Sequence, residues 1–170
     1  MRFDVAPAEG YHPEIGLLLA SLQDSTREWR DELGQVPDEA MTWQPFEGGH
    51  SIGGLIMHMI DAESWWFETI CCGVERSKEE LAEVLSEETN QDSFIWPKPP
   101  AKPLSWYYEL QDRYRARSIE TVKSLDPTKN VVIPGYDHVF TTRWVLAHVV
   151  EHDSYHGGQA VLLNAIWARR

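Results

Sequence analysis

Four long stretches of this chain repeat their apolar residues every three or four positions, a period that commits them to helices lying side by side. The first runs from about Pro13 to Leu33 and stops at Gly34, a residue suited to the left-handed turn that ends a helix. The second follows the Gly-Gly-His-Ser stretch, where Ser51 can cap the first turn, and ends before Gly73. The third spans about Leu104 to Leu125, and the fourth begins near Thr141 or Thr142 and reaches about Trp167. Between the second and third lies a breaker-rich stretch, residues 94–103, with Pro97, Pro99, Pro100 and Pro103. Fixed φ and missing amide donors forbid a helix there. The pattern predicts an all-α fold, a four-helix bundle with a long crossover between helices two and three.

Two smaller elements complete the prediction. Ser77 and Glu80 have capping-box spacing, which predicts a short helix over residues 77–85. Residues 130–140 hold two β-branched or aromatic runs around Pro134-Gly135 and predict a small hairpin. The chain has 170 residues, no internal repeat and no linker, so it reads as one domain over 1–170.

Charge narrows the partners. Fifteen Lys and Arg face 27 Asp and Glu, a formal net charge of -12, with no basic stripe. That balance argues against nucleic acid and against anionic lipid. The only cysteines, Cys71 and Cys72, are neighbours and cannot form a disulfide framework, so they read as reduced thiols inside a cell. The first residues carry no basic-then-apolar leader pattern, and no apolar run reaches membrane-spanning length, so a cytoplasmic location is expected. The eight tryptophans are an excess that suits cores, grooves and ligand cavities.

The seven histidines carry the chemistry. His148, His152 and His156 fall at steps of four in the fourth helix. Residues four apart lie about 6 Å apart along the axis, so adjacent members can share one ion and the outer two cannot easily do so. The choice is His148 with His152, or His152 with His156. Val145, Val149, His152, His156, Gln159, Leu163 and Ile166 follow the 4-3-4-3 spacing of a buried seam, which favours the second pair and leaves His148 beside it. Two imidazoles in a core are costly unless their lone pairs are used, and a metal uses them. On the second helix, Ser51, Leu55, His58, Ala62 and Trp65 form a comparable line, with His58 the polar residue in it able to meet the pair. Three neutral imidazoles would leave a coordination position open, as in catalytic rather than structural sites. The bland alternative is a set of satisfied or solvated histidines.

Other templates fit less well. His152 and His156 have the spacing of the zincin helix, but Asp153 stands where a general-base Glu is expected. The paired Glu-x-x-His motifs of di-iron bundles are missing, and no nucleophile motif supports Ser or Cys catalysis.

Two stretches, His-Ser-Ile-Gly-Gly-Leu-Ile-Met-His-Met-Ile-Asp-Ala-Glu-Ser-Trp-Trp over residues 50–66 and Thr-Thr-Arg-Trp-Val-Leu-Ala-His-Val-Val-Glu-His-Asp-Ser-Tyr-His-Gly-Gly-Gln over 141–159, resemble the DinB/YfiT-like superfamily of metal-dependent enzymes. The preceding Trp-Gln-Pro-Phe-Glu-Gly-Gly, residues 43–49, is similar to the family's loop before its second helix. The resemblance implies a four-helix bundle, often a homodimer, with His58, His152 and His156 as ligands to a divalent metal: zinc or nickel first, iron or manganese as alternatives. His50 and Asp153 depart from residues common in the family, Asn and Glu. Neither removes a ligand.

The resemblance also implies chemistry. Its characterised members include S-transferases and an isomerase that use low-molecular-weight thiols of the bacillithiol or mycothiol type. The leading expectation is therefore a thiol S-transferase acting on a small-molecule electrophile, the metal readying the thiol. Two alternatives stand beside it: a metal-dependent hydrolase, and a non-catalytic metal or small-molecule binding protein induced by stress. Trp65, seven residues after His58, could wall a pocket and contact a cofactor. Gln159, one turn after His156, could orient a ligand or water. Asp61 is placed to accept an imidazole N–H. Ordinary packing or capping is the competing explanation for all three.

Overall fold

The computed structural model describes residues 4–90, 95–133 and 135–170. Phe94 of the proline-rich stretch and Pro134 of the expected hairpin turn lie outside them, as do residues 1–3.

The four long helices are α1 (Pro13–Leu33), α3 (Ile52–Ser64), α6 (Leu104–Thr121) and α7 (Thr142–Trp167). Short helices occupy α2 (Asp38–Met41), α4 (Lys78–Glu83) and α5 (Ser86–Thr89). The expected signals set the ends. Gly34 stops α1 at φ 60°, its N–H bonding to the Arg30 carbonyl. Ser51 caps α3 by accepting from the Gly54 N–H. Ser77 and Glu80 form both arms of the capping box that starts α4. The hairpin is present as β1 (Asn130–Val132) antiparallel to β2 (Val139–Thr141), with Val131 opposite Phe140.

Three details differ from the sequence reading. α6 ends at Thr121 rather than near Leu125, in a turn closed by the Val122 N–H on the Ser118 carbonyl. α3 passes directly into a π-helical segment, Trp65–Cys71. Ile166, expected in the buried seam of α7, is 42% exposed, and it is the adjacent Trp167 that packs against the core there.

α7 packs along α1 and α3, and α3 along α6. Ile15, Leu19 and Leu22 of α1 meet Val145, Leu146 and Val149 of α7 with Phe67 in one buried cluster. Leu55, Ile56, Met59 and Ile60 of α3 meet Tyr107, Leu110 and Tyr114 of α6 in the other. Gly53 lets α3 and α6 close, since a Cβ there would lie 2.6 Å from the Tyr107 ring.

Residues 95–103 of the proline-rich crossover hold no helix and lead into α6. The Tyr107 hydroxyl donates to the Pro100 carbonyl, and the Trp96 N–H bonds to the Gly48 carbonyl at 2.9 Å. Gln44 Nε2 donates to the carbonyls of both Gly49 and Trp96. The crossover is thereby pinned against the entry to α3, the helix that carries His58. Among the described residues, no helix is long and apolar enough to cross a membrane.

Candidate metal centre

α3 and α7 carry three imidazoles to one place. His58 comes from the second turn of α3, and His152 and His156 from successive turns of α7. One ring nitrogen from each lies within 4.8 Å of the others, a group that could hold a metal ion. His58 Nε2 is 3.1 Å from His152 Nε2. The ring centroids are 4.9 Å apart for His58 with either partner and 4.4 Å for the α7 pair.

Burial makes these imidazoles poor bases. The His58 pKa is pushed down to about 4, first by burial and then by the neighbouring His156. His152 is pushed to about 2 by burial and by His156, His58 and His148 around it. Burial lowers His156 as well, against a partly offsetting hydrogen bond to Gln159. All three are neutral near pH 7 and offer lone pairs rather than charge.

The donor set fits a divalent ion. Tetrahedral zinc bound at about 2.0–2.1 Å holds its nitrogen ligands about 3.3 Å apart. The 3.1 Å spacing meets that for one pair, and the 4.8 Å limit leaves only small side-chain adjustments for the third. Gln159 Oε1 lies 2.7 Å from His156 Nδ1. An amide oxygen only accepts, so Nδ1 carries the proton and Nε2 keeps its lone pair. His58 Nδ1 is buried with no hydrogen-bond partner among the described residues.

Asp61 does not supply that partner. Its Oδ1 takes Arg76 Nη1 at 2.6 Å and its Oδ2 takes Asn90 Nδ2 at 2.7 Å. In place of the expected imidazole N–H, its two oxygens take an arginine just ahead of α4 and an amide just after α5. Asp153 is likewise turned away from the histidines. It accepts from Thr26 Oγ1 and Trp29 Nε1, each at 3.0 Å, and from Arg115 Nη2 at 3.2 Å. The carboxylate in the zincin-like position ties α1, α6 and α7 together.

A cavity of about 920 Å³ opens onto His58 and His152. Trp65 lines it, as does Arg76. His148 lines it too but is not one of the three-imidazole group; it stacks on Trp144 at 5.0 Å between centroids and 5° between planes. Sequence reasoning missed Trp96. Its ring stands 5.1 Å from the His58 ring and 4.0 Å from that of His50, covering the site from the crossover side. A lone tryptophan among prolines was the available signal.

No curated protein matches the chain. A family model described as mycothiol S-transferase matches residues 17–166, a span that holds all three clustered histidines, Gln159 and the cavity wall. The chain therefore belongs to the mycothiol S-transferase family, a DinB/YfiT-like family.

Proposed function

We propose that this protein is a metal-dependent S-transferase that joins a low-molecular-weight thiol, of the mycothiol or bacillithiol type, to a small-molecule electrophile. The observation that carries the reading is a cluster of three neutral imidazoles, of which His58 and His152 line a cavity, in a chain of this family. His58, His152 and His156 would hold the ion, zinc or nickel before iron or manganese. A divalent ion held by three imidazoles acts as a Lewis acid and lowers the pKa of a thiol bound to it.

The chain's own residues prepare that chemistry. Gln159 keeps the His156 proton on Nδ1. Trp96 and the α3–α7 packing exclude water from the back of the imidazoles, which keeps them unprotonated. The cavity leaves the front open and is large enough for two small reactants. The reading takes residues 1–170 as one domain working in the cytoplasm as a homodimer. Exposed Tyr155, Leu162 and Ile166 on α7 support a pairing surface.

The test is turnover by metal-loaded protein with an electrophile, with and without added thiol. Thioether formation that requires both thiol and metal supports the reading. Metal-dependent hydrolysis without thiol overturns it in favour of a hydrolase. Tight metal retention with no turnover and no thiol binding overturns it in favour of a binding protein.

A further inference from the structure

The apolar lining of the cavity is made of rings. Trp65, Trp66 and Tyr136 border it beside the His148 imidazole, and its only aliphatic side chains among the described residues are Ala62 and Leu81. Trp66 is locked by edge-on contacts to Phe140, Trp144 and His148. Among the described residues the one ring that Trp65 touches is Trp66, at 4.7 Å and 70°, and Trp65 borders the cavity beyond it. Tyr136 is 61% exposed and has no ring partner among the described residues.

The backbone under this wall departs from a regular α-helix. Here the helix widens to i→i+5 bonding over Trp65–Cys71, and Trp65, Trp66 and Thr69 all reach the same cavity. Such π-helical turns are uncommon and gather at functional sites.

We propose that the electrophile this cavity selects is a flat, conjugated molecule, an aromatic ring activated by electron-withdrawing groups, which stacks on Trp65 from the cavity side with Tyr136 at its outer side. The inference rests on the S-transferase reading. An aromatic face rewards offset stacking by another ring and gives a saturated chain no equivalent. With 1-chloro-2,4-dinitrobenzene as the probe, the thiol sulfur forms a C–S bond at the chlorine-bearing carbon. The ring electrons rest on the nitro oxygens, the C–Cl bond then breaks, chloride leaves with its pair, and the thiol proton passes to solvent.

The experiment compares metal-loaded wild type, Trp65→Leu and Tyr136→Leu, all with mycothiol. It reads the ratio of kcat/KM for 1-chloro-2,4-dinitrobenzene to that for iodoacetamide. It also reads calorimetric binding of 1,3-dinitrobenzene, which has no leaving group. The expected result is a fall of about tenfold in both the ratio and the affinity for Trp65→Leu, and a smaller fall for Tyr136→Leu. Tyr136 is exposed, so its variant still decides the matter if Trp65→Leu fails to fold. Thiol transfer with ratio and affinity unchanged in the variants overturns the inference. Absence of transfer to either electrophile overturns the S-transferase reading instead, and the calorimetry alone then supports or overturns the aromatic subsite.

Discussion

Asp153 and Glu63 share one guanidinium: Arg115 donates through Nη2 to Asp153 Oδ1 at 3.2 Å and through Nε to Glu63 Oε2 at 2.6 Å. All three are buried, so two carboxylates face a single positive charge in the core. Glu63 Oε1 has no hydrogen-bond partner among the described residues. Burial is the main reason the Glu63 pKa rises, to about 7, with Asp153 adding to it and Arg115 opposing.

That rise has a sign. A carboxyl raised in the folded state contributes stability in full below its unfolded pKa of about 4.5, and loses it as pH climbs through about 7. Glu63→Gln, which stays neutral, removes this dependence. The stability of wild type relative to Glu63→Gln should therefore rise as pH falls from about 7 toward 5. Denaturant titrations of both proteins across that range check it, and a difference that shrinks on acidification contradicts it.

Removing Arg115 has a larger effect. Arg115→Ala strands two buried carboxylates and takes a donor from Thr26 Oγ1, which Arg115 Nη1 reaches at 2.9 Å. Loss of one partner from a buried charge network costs about 3–5 kcal/mol. Chemical denaturation measures it, and a loss below about 1 kcal/mol would mean the network is not closed as described.

Two adjacent glycines should respond in opposite ways. A Cβ on Gly157 would stand 2.3 Å from Trp29 Cγ, while one on Gly158 would meet nothing within 4 Å. Gly157→Ala drives α7 off α1 and should destabilise by about 1–3 kcal/mol. Gly158→Ala only gains helix propensity and should stabilise by up to about 1 kcal/mol. Unfolding midpoints of the two variants, measured side by side, test the register of α7 on α1.

Gln159 sets a tautomer rather than the fold. Gln159→Leu removes the acceptor 2.7 Å from His156 Nδ1 while keeping a side chain of similar size. Loss of such a partner lowers metal affinity by about 10–100-fold. Competition with a chelator should show that fall with little change in thermal unfolding of the metal-free protein. An unchanged affinity would assign Gln159 to packing.

The fold was legible where local chemistry decides it. Gly34, Ser51 and the Ser77–Glu80 pair each mark a helix end through groups within four residues, and all three act as read. The π-helical turn was not legible, because Trp-Trp-Phe-Glu-Thr-Ile-Cys suits an α-helix equally well and packing selects between them. At the site, four-residue spacing exposed the His152–His156 pair and seam position pointed to His58. The partners of Asp61 were hidden, since Arg76 and Asn90 lie 15 and 29 residues away, across a turn whose path no local signal reports. Still longer separations in sequence concealed the Glu63–Arg115–Asp153 network and the cover that Trp96 gives to His58.

The proposed function depends on one metal ion held by His58, His152 and His156. Its most direct test is the metal content of protein purified without a nickel column, for wild type and for His58→Ala, His152→Ala, His156→Ala and His148→Ala. About one equivalent is expected in wild type and in His148→Ala, and its loss in the other three. Metal missing from wild type, or retained after His152→Ala, would contradict it.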